Sequence, residues 1–249
     1  MRYTRAEERR AEVERILAEE GYASSTEVAE RLGVSTMTIR RDLQQLEESG
    51  RAQRVAGGAT IAIRGLPFER RSGAEAAQKR RLAAMAAAEI GDAAMVALDA
   101  GTTVAGIAPL LEDATIVTHS LPVITAVAGR VGTLVALGGL FQPDTRAFAG
   151  PMAEQAALEV HCDIAVLSAT GVTGDALWGT NALDASLKRV LASIADRVLV
   201  VADGTKLGAR APLRICETEL VDLLLTDDRA DPAVCDALRA RGIDVRIAR

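Results

Sequence analysis

Two stretches of this 249-residue chain combine side chains that could bind charged ligands, and the first is residues 35–43, Ser-Thr-Met-Thr-Ile-Arg-Arg-Asp-Leu. Hydroxyls at the start of a helix, together with the free backbone N–H groups there, hold phosphate oxygens. Arginine adds a charge and can donate two hydrogen bonds to O6 and N7 of guanine in the major groove. These residue types at this spacing predict contact with double-stranded DNA.

The pattern around this stretch favours the same interpretation. Ile39, Leu43 and Leu46 recur at the spacing of one helical face, and Ser35 is placed to cap that helix. A short amphipathic helix over residues 26–32 and a glycine turn precede it. Two short helices joined in this way, the second with a polar outer face, are typical of a helix-turn-helix. The alternative is an ordinary surface helix that carries two arginines.

A basic stretch with glycine at both ends, residues 50–59, follows and is typical of the wing beside a helix-turn-helix. We predict that the DNA-binding residues come from the second helix and the wing: Ser35, Thr36, Met37, Thr38, Arg40, Arg41, Gln44 and Arg54. The first helix, predicted over residues 5–20, carries an apolar stripe. Its acidic residues must face away from DNA for this interpretation to hold, namely Glu7, Glu8, Glu12 and Glu14.

The second stretch is residues 99–103, Asp-Ala-Gly-Thr-Thr, which leaves an apolar strand and begins a helix. The first N–H groups of that helix and two hydroxyls would point at one spot, where the helix dipole also favours an anion. This arrangement fits a metabolite that carries a phosphate. The alternative is that Thr102 only caps the helix.

The larger part of the chain alternates apolar runs with helical stretches after a predicted linker over residues 61–73. The strands are predicted at 94–98, 115–118, 133–137, 164–167, 198–202, 223–226 and 245–247. The helices are predicted at 75–90, 103–111, 121–128, 151–158, 182–195 and 232–241. Continuous apolar strands that alternate with helices predict a mostly parallel sheet buried on both faces, with ligands beyond its carboxyl ends.

Glycines, hydroxyls and a lysine follow several of these strands. We therefore predict an effector site from Asp99, Gly101, Thr102, Thr103, Thr118, His119, Ser120, Gly138, Gly139 and Lys206. His119 could bond a ligand hydroxyl or be a satisfied structural histidine. Trp178 lies in a predicted loop, residues 171–181, and could close over a ligand or anchor the core. Arg146 and Arg210, also in predicted loops, could reach a phosphate.

Composition limits the other functions. The net charge is −5, so any attraction to DNA must be local, and only 2% of residues are aromatic, which argues against stacking on single strands. Three widely spaced cysteines argue against disulfides or a zinc site, and adjacent His161 and Cys162 would point to opposite faces of a strand. No apolar run is long enough to span a membrane. We expect a cytoplasmic protein with no cofactor and no metal.

The chain resembles the DeoR-type bacterial transcriptional regulators. The residues that keep the spacing of that family's N-terminal signature are Arg9, Val13, Leu17, Ser35, Thr38, Ile39, Arg40, Arg41, Asp42 and Leu43, followed by the Gly57-Gly58-Ala59 close of the wing. Ala56 stands where the family usually has His. In the larger half, Thr118-His119-Ser120 stands for the family's Thr-Asn-Ser, and residues 203–206, Asp-Gly-Thr-Lys, for its Asp-Ser-Ser-Lys.

The resemblance implies an α/β protein, with an N-terminal winged helix-turn-helix domain followed by a larger Rossmann-like, mostly parallel α/β effector domain. That effector domain is implied to have the ribose-5-phosphate isomerase fold and to hold the phosphate of a sugar phosphate on its Asp-x-Gly-Thr-Thr loop. We expect the DNA-binding domain at residues 1–60, the linker at 61–73 and the effector domain at 74–249.

Three hypotheses of different classes follow. The first is a repressor of sugar or polyol catabolism genes, with double-stranded operator DNA and a phosphorylated sugar or polyol effector as partners. We expect a homodimer or homotetramer, because one helix-turn-helix reads too few base pairs. The second is an aldose–ketose sugar-phosphate isomerase with a DNA-binding head, whose candidate bases are Asp163, Asp175, Asp184 and Asp203. The third is an oligomerisation scaffold without a ligand. We expect no catalytic residues.

Overall fold

A computed structural model describes residues 2–20, 22–49, 51–55, 57–61, 68–73, 75–129 and 133–248. The chain divides into two compact units, Met1–Leu66 and Pro67–Arg249. Ala56, where the sequence departs from the family pattern, lies outside the described residues, as do positions 62–67 of the predicted linker.

The first unit is a three-helix arrangement with a small antiparallel sheet. Its elements are α1 Arg2–Glu20, β1 Tyr22–Ser24, α2 Ser25–Leu32, α3 Thr36–Glu48, β2 Ala52–Val55 and β3 Gly58–Ile61. The strand order is β1-β3-β2, so β2 and β3 form the predicted wing hairpin and β1 extends it. This is a winged helix-turn-helix.

The apolar face of α3 is buried as the sequence predicts. Ile39, Leu43 and Leu46 are each at most 1% exposed and pack in one cluster with the stripe of α1. The turn between α2 and α3 is possible because Gly33 takes φ 63°, in the left-handed region that glycine enters without strain. This small core fixes the angle between α2 and α3.

The second unit has a sheet of parallel strands between two layers of helices. Its helices are α4 Phe68–Gly73, α5 Ala76–Ile90, α6 Thr102–Ala105, α7 Leu121–Val127, α8 Pro151–Leu158, α9 Ala182–Ser193 and α10 Pro232–Arg239. Its strands are β4 Met95–Leu98, β5 Thr115–Thr118, β6 Leu134–Ala136, β7 Leu140–Gln142, β8 Ala147–Ala149, β9 Cys162–Leu167, β10 Gly171–Val172, β11 Ala176–Gly179, β12 Ala195–Val201, β13 Leu213–Glu217, β14 Leu223–Asp227 and β15 Asp244–Ala248.

The main sheet has seven strands in the order β15-β14-β12-β9-β4-β5-β6, and every neighbouring pair is parallel. Each face of it carries a buried cluster of aliphatic side chains. In β4, for example, Val96 and Leu98 face one cluster and Ala97 faces the other. The mostly parallel α/β arrangement predicted from continuous apolar strands is confirmed.

Three sequence predictions about this unit were wrong in detail. The helix expected over 103–111 is the short α6 followed by a 3₁₀ turn, Ala108–Leu110, because Gly106 favours a break and Pro109 has no N–H to donate. Part of the expected linker forms α4, which is anchored by the buried Phe68. The loop expected over 171–181 contains the antiparallel pair β10–β11.

The cysteines are buried, free thiols. His161 is exposed beside Asp196, whereas Cys162 is buried, so the two side chains do point to opposite faces. Burial raises the pKa of Cys162 and of Cys216 to about 11, so both thiols stay protonated near neutral pH. Over the described ranges, no cluster of three metal-binding side chains occurs and no helix is long and apolar enough to cross a membrane.

Candidate DNA-binding and effector sites

The start of α3 is built by Ser35. Its hydroxyl accepts a hydrogen bond from the backbone N–H of Thr38 at 3.1 Å and also contacts the Thr38 hydroxyl at 2.8 Å. The side chain thereby satisfies one N–H of the first turn and places the remaining first-turn groups at the surface.

The outer face of α3 carries the side chains predicted to meet DNA. Met37, Arg40, Arg41 and Gln44 are all exposed, Met37 to 66%. The Gln44 amide donates to Glu48 one turn further along the helix. The two arginines sit at adjacent positions, on the face opposite Ile39 and the rest of the core stripe, where a groove or a phosphate could reach both.

A partly buried ion pair holds α3 on α1. The Arg9 guanidinium donates to both carboxylate oxygens of Asp42, at 2.5 and 3.1 Å, and the Asp42 side chain is only 4% exposed. The hydrogen bond and the charge of Asp42 raise the pKa of Arg9. Both residues belong to the N-terminal signature given in the sequence analysis, and their contact indicates that they orient α3 on α1.

The wing and α1 arrange the other charges of this unit. Arg54 of β2 is exposed, and its backbone N–H donates to the Glu47 carboxylate at 3.0 Å. Arg51 is paired with Glu14 at 2.9 Å, and Glu12 with Arg15 at 2.5 Å, so two of the four glutamates named in the sequence analysis are neutralised locally.

The strand order of the main sheet identifies where the second unit could hold a ligand. The chain runs from β4 to β5 and β6 on one side, then returns to β9 next to β4 and continues to the opposite edge. The carboxyl ends of β4 and β9 therefore flank the point where the order reverses, which is where open parallel sheets form ligand crevices.

A buried ion pair occupies this reversal point. Asp99, at the end of β4, accepts from Lys188 Nζ at 2.6 Å, from the Ser168 backbone and hydroxyl at 2.6 and 2.9 Å, and from Gly101 N at 2.7 Å. Lys188 also donates to the Ser168 carbonyl at 2.7 Å, and Asp184 lies 3.5 Å away. Asp99 is thus fully engaged with the protein and positions the loop that follows it.

The pKa values of this pair are set by competing causes. Burial alone would raise the pKa of Asp99, but the charge and hydrogen bonds of Lys188, with those from Ser168 and Gly101, lower it. Burial alone would lower the pKa of Lys188, but Asp184 and Asp99 raise it. Both groups are charged at neutral pH. The charges of Asp184 and Asp99 also act on Arg71 of α4, whose pKa burial lowers.

Lys188, Ser168 and Arg71 were absent from the residues predicted for this site. Lys188 sits on the apolar face of α9, four residues after Asp184 and next to the fully buried Leu187. A lysine at a core position of an amphipathic helix, with a carboxylate at i−4, was the available signal.

The loop of residues 101–103 is shaped by its contact with β9. A methyl group on Gly101 would lie 2.4 Å from the Ser168 hydroxyl, so only glycine fits. Thr102 is half-buried and Thr103 buried at the start of α6. Because α6 has only four residues and Gly101 N is already bonded to Asp99, the dipole contribution expected from a longer helix is small.

The residues after β5 are deeply buried. Thr118 donates to the Leu98 carbonyl at 2.7 Å, which ties β5 to β4, and Ser120 caps α7 through Val123 N at 3.4 Å. His119 bonds the Phe148 carbonyl through Nδ1 at 2.8 Å, while its Nε2 is buried with no hydrogen-bond partner in the described structure. Burial lowers the pKa of His119, and the carboxylates of Asp184 and Asp99 only partly offset this.

Lys206 belongs to a second charged group along the same edge. It ends the 3₁₀ turn Gly204–Lys206 after β12 and is half-buried, and Asp203 caps that turn through Thr205 N at 3.1 Å. In this group, Arg229 binds Asp227 at 2.8 Å and Glu75 at 2.5 Å. The two pairings raise the pKa of Arg229. After β6, Gly138 is exposed and Gly139 half-buried.

The other loop residues that could reach a ligand have protein partners. Trp178 lies on β11, donates to the Thr173 hydroxyl at 2.8 Å and carries the Arg210 guanidinium 5.3 Å from its ring centre. Arg146 lies 3.3 Å from Glu69. Trp178 therefore forms part of a small sheet, which favours the anchoring role over a mobile lid.

Taken together, a winged helix-turn-helix with exposed arginines and a parallel sheet with a polar reversal point define a DNA-binding regulator with a sensor domain. Residues 9–64 match the DeoR-like helix-turn-helix domain, and residues 74–228 match the DeoR C terminal sensor domain. The chain belongs to the DeoR family of transcriptional regulators.

Named relatives match over most of their length. The chain is 31% identical to a repressor assigned to the aga operon of Escherichia coli O157:H7, covering 98% of this chain and 94% of that protein. It is 28% identical to the HTH-type transcriptional repressor GlcR of Bacillus subtilis, covering 97% and 96%. It is 30% identical to the L-fucose operon activator of Haemophilus influenzae, covering 84% and 87%.

Among solved structures, ribose 5-phosphate isomerase A of Methanocaldococcus jannaschii matches with a TM-score of 0.41 and 17% identity, covering 54% of this chain and 55% of that one. A similarity this weak supports no conclusion about fold or function.

Proposed function

We propose that the chain represses sugar or polyol catabolism genes, and that a phosphorylated sugar or polyol bound in the second unit changes its affinity for operator DNA. The effector proposal depends on one observation: the Asp99–Lys188 pair lies with Gly101 and Thr102 at the reversal point of the sheet. Two of the relatives described above are named repressors, and one is named an activator of a sugar operon.

For DNA binding we assign the exposed face of α3 and the wing. Two copies of α3 are needed to read the two half-sites of an operator, so the working form is a homodimer or a homotetramer. An effector that prefers one arrangement of the protein alters operator affinity by linkage, typically by about 1–3 kcal/mol. Since operator DNA is its partner, the protein acts in the bacterial cytoplasm.

For effector binding we assign Thr102, Thr103 and Lys206 to the phosphate and the residues after β5 and β6 to the rest of the ligand. A hydroxyl or ammonium donor that binds a charged oxygen contributes roughly 1.5–3 kcal/mol. Two or three such contacts reach the affinity range of a millimolar-to-micromolar ligand, roughly −4 to −8 kcal/mol.

An isomerase is the weaker candidate, because the carboxylates that could act as bases are engaged. Asp163 accepts from Ala94 N and Met95 N at 2.7 and 2.8 Å, and Asp203 caps a turn. Asp184 lies beside the Lys188 ammonium. Measurable turnover of ribose 5-phosphate, lost on Asp184→Asn, would favour the enzyme.

The direct test measures binding to an operator selected from a random DNA library, with and without each member of a panel of sugar and polyol phosphates. We expect at least one compound to change operator affinity and to stabilise the protein by about 2.7 kcal/mol at 100 times its Kd. Thr102→Val and Lys206→Ala should weaken that stabilisation. If no compound has either effect, the second unit is an oligomerisation scaffold and the effector proposal is wrong.

A further inference from the structure

Among the buried side-chain nitrogens of the described residues, His119 Nε2 is the one that lacks a hydrogen-bond partner. Its side chain has no exposed surface, so water at the surface cannot reach it. A buried polar atom without a partner is unfavourable unless another group completes it. His119 directly follows β5, which pairs with β4 up to Leu98, so the ring lies at the same sheet edge as Asp99 and the proposed effector site. The charges of Asp184, Asp99 and Lys188 act on it there.

The protonation of the ring follows from its second nitrogen. Nδ1 lies 2.8 Å from the Phe148 carbonyl oxygen, which can only accept, so Nδ1 carries a proton and donates it. Burial lowers the pKa of His119 despite the nearby carboxylates, so the ring is neutral near pH 7. In a neutral ring with a protonated Nδ1, Nε2 has a lone pair and can only accept.

We infer that His119 Nε2 selects the effector, by accepting a hydrogen bond from a hydroxyl or amine of the sugar or polyol. The inference rests on the proposed function and narrows its ligand class. A carboxylate, a ketone or a fully ionised phosphate ester can only accept, so its oxygen would face the Nε2 lone pair without a bond. Sugar and polyol phosphates with a hydroxyl at that place bind, whereas sugar-acid phosphates with a carboxylate there are rejected.

Lys188 cannot donate the missing hydrogen bond to His119 Nε2. Its ammonium protons are directed to the Asp99 carboxylate at 2.6 Å, the Ser168 carbonyl at 2.7 Å and the Ser168 hydroxyl at 3.0 Å. Because the His119 ring is wholly covered, a ligand hydroxyl reaches Nε2 only when a neighbouring side chain moves aside. Binding is thereby coupled to a rearrangement at the reversal point of the sheet.

The tautomer can be tested without any ligand. The chain has two histidines, so a His161→Gln variant labelled with nitrogen-15 histidine reports His119 alone. Long-range proton–nitrogen NMR spectra should show a protonated Nδ1 and an unprotonated Nε2 between pH 7 and pH 8. A proton on Nε2 in that range would overturn the inference.

Ligand selection is tested with two matched variants. His119→Asn keeps an amide N–H near the position of Nδ1 and removes the acceptor at Nε2, whereas His119→Gln can return an amide oxygen toward Nε2. The probes are inorganic phosphate, pentose 5-phosphates, hexose 6-phosphates, their single-deoxy analogues and the matching sugar-acid phosphates.

We expect His119→Asn to bind the preferred sugar phosphate about tenfold more weakly than the wild type does, while its affinity for inorganic phosphate is unchanged. A tenfold loss is the scale of one hydrogen bond. His119→Gln should lose less affinity. One deoxy analogue should bind the wild type about tenfold more weakly than its parent sugar phosphate does. The same analogue and its parent should bind His119→Asn with equal affinity. If the wild type and His119→Asn rank the sugar phosphates in the same order and by the same ratios of affinity, the inference about His119 is wrong but the proposed function stands. If no sugar phosphate binds the wild type, the proposed effector is also wrong.

Discussion

At the scale of single residues, buried charges in this chain occur where they are matched. Asp42 lies under Arg9, and Asp99 is held by Lys188, Ser168 and Gly101. In both cases a carboxylate from one element fixes a second element at the candidate site. A buried pair adds little net stability over an apolar replacement, but removing one partner is strongly unfavourable.

Lys188→Met tests this at the second site. It leaves the Asp99 carboxylate buried without its cation, so we expect the free energy of unfolding to fall by about 3–5 kcal/mol near pH 7. Denaturant unfolding followed through Trp178, the only tryptophan, reports on this unit. The double variant Asp99→Asn with Lys188→Met should recover part of the loss. A loss equal to that of the single variant would show that the charges are not coupled.

The same pair predicts how stability depends on pH. The pKa of folded Asp99 is lowered, so its contribution is present above the unfolded value of about 3.9 and is lost as pH falls through the folded value. The pKa of folded Lys188 is raised, so its contribution is present below about 10.4 and is lost as pH rises through the folded value. Asp99→Asn should flatten the acid side of the curve, and an unchanged acid limb would contradict this.

At the scale of elements, the approach of the β4 and β9 ends depends on Gly101. Its φ of −71° suits any residue, so the reason for glycine is the Ser168 side chain 2.4 Å from the position of a methyl group. We expect Gly101→Ala to lower stability by about 1–3 kcal/mol through overpacking and to weaken any effector response. Gly73→Ala is the matched control, since nothing lies within 4 Å of its added methyl group. Equal melting temperatures for the two variants would contradict this account of the loop.

The sequence predicts helices and strands well where burial produces a regular pattern of apolar residues. The apolar runs of the seven main strands and the stripe on α3 are long enough to be read without tertiary information. The strands β7, β8, β10, β11 and β13 were not predicted, because they form small antiparallel sheets outside the main sheet and depend on cross-strand partners rather than on their own pattern.

The site was predictable only where side chains follow strands directly. Gly101 and Thr102 were found in that way. Lys188 comes from the middle of α9 and reaches the site through packing, and the charge on Arg71 arrives from a segment expected to be linker. Lys188 and Arg71 lie far in sequence from residues 99–103, so only the folded structure brings them close to that loop.

At the scale of the whole molecule, the chain carries a formal charge of −5 and yet belongs to a DNA-binding family. DNA responds to the local field, and on the outer face of α3 the exposed charges near its start are Arg40 and Arg41. The assignment of α3 to the DNA groove therefore depends on these two side chains.

The most direct test is the affinity of the Arg40→Ala/Arg41→Ala double variant for the selected operator, measured by fluorescence anisotropy over a range of salt concentrations. We expect specific binding to weaken by about 2 kcal/mol or more, with an unchanged melting temperature because both side chains are exposed. The salt slope should fall by about one unit for each arginine that contacts a phosphate. Arg80→Ala/Arg81→Ala, which replaces two adjacent exposed arginines of α5, is the charge-matched control. Wild-type operator affinity in the double variant would contradict the assignment of α3 as the recognition helix.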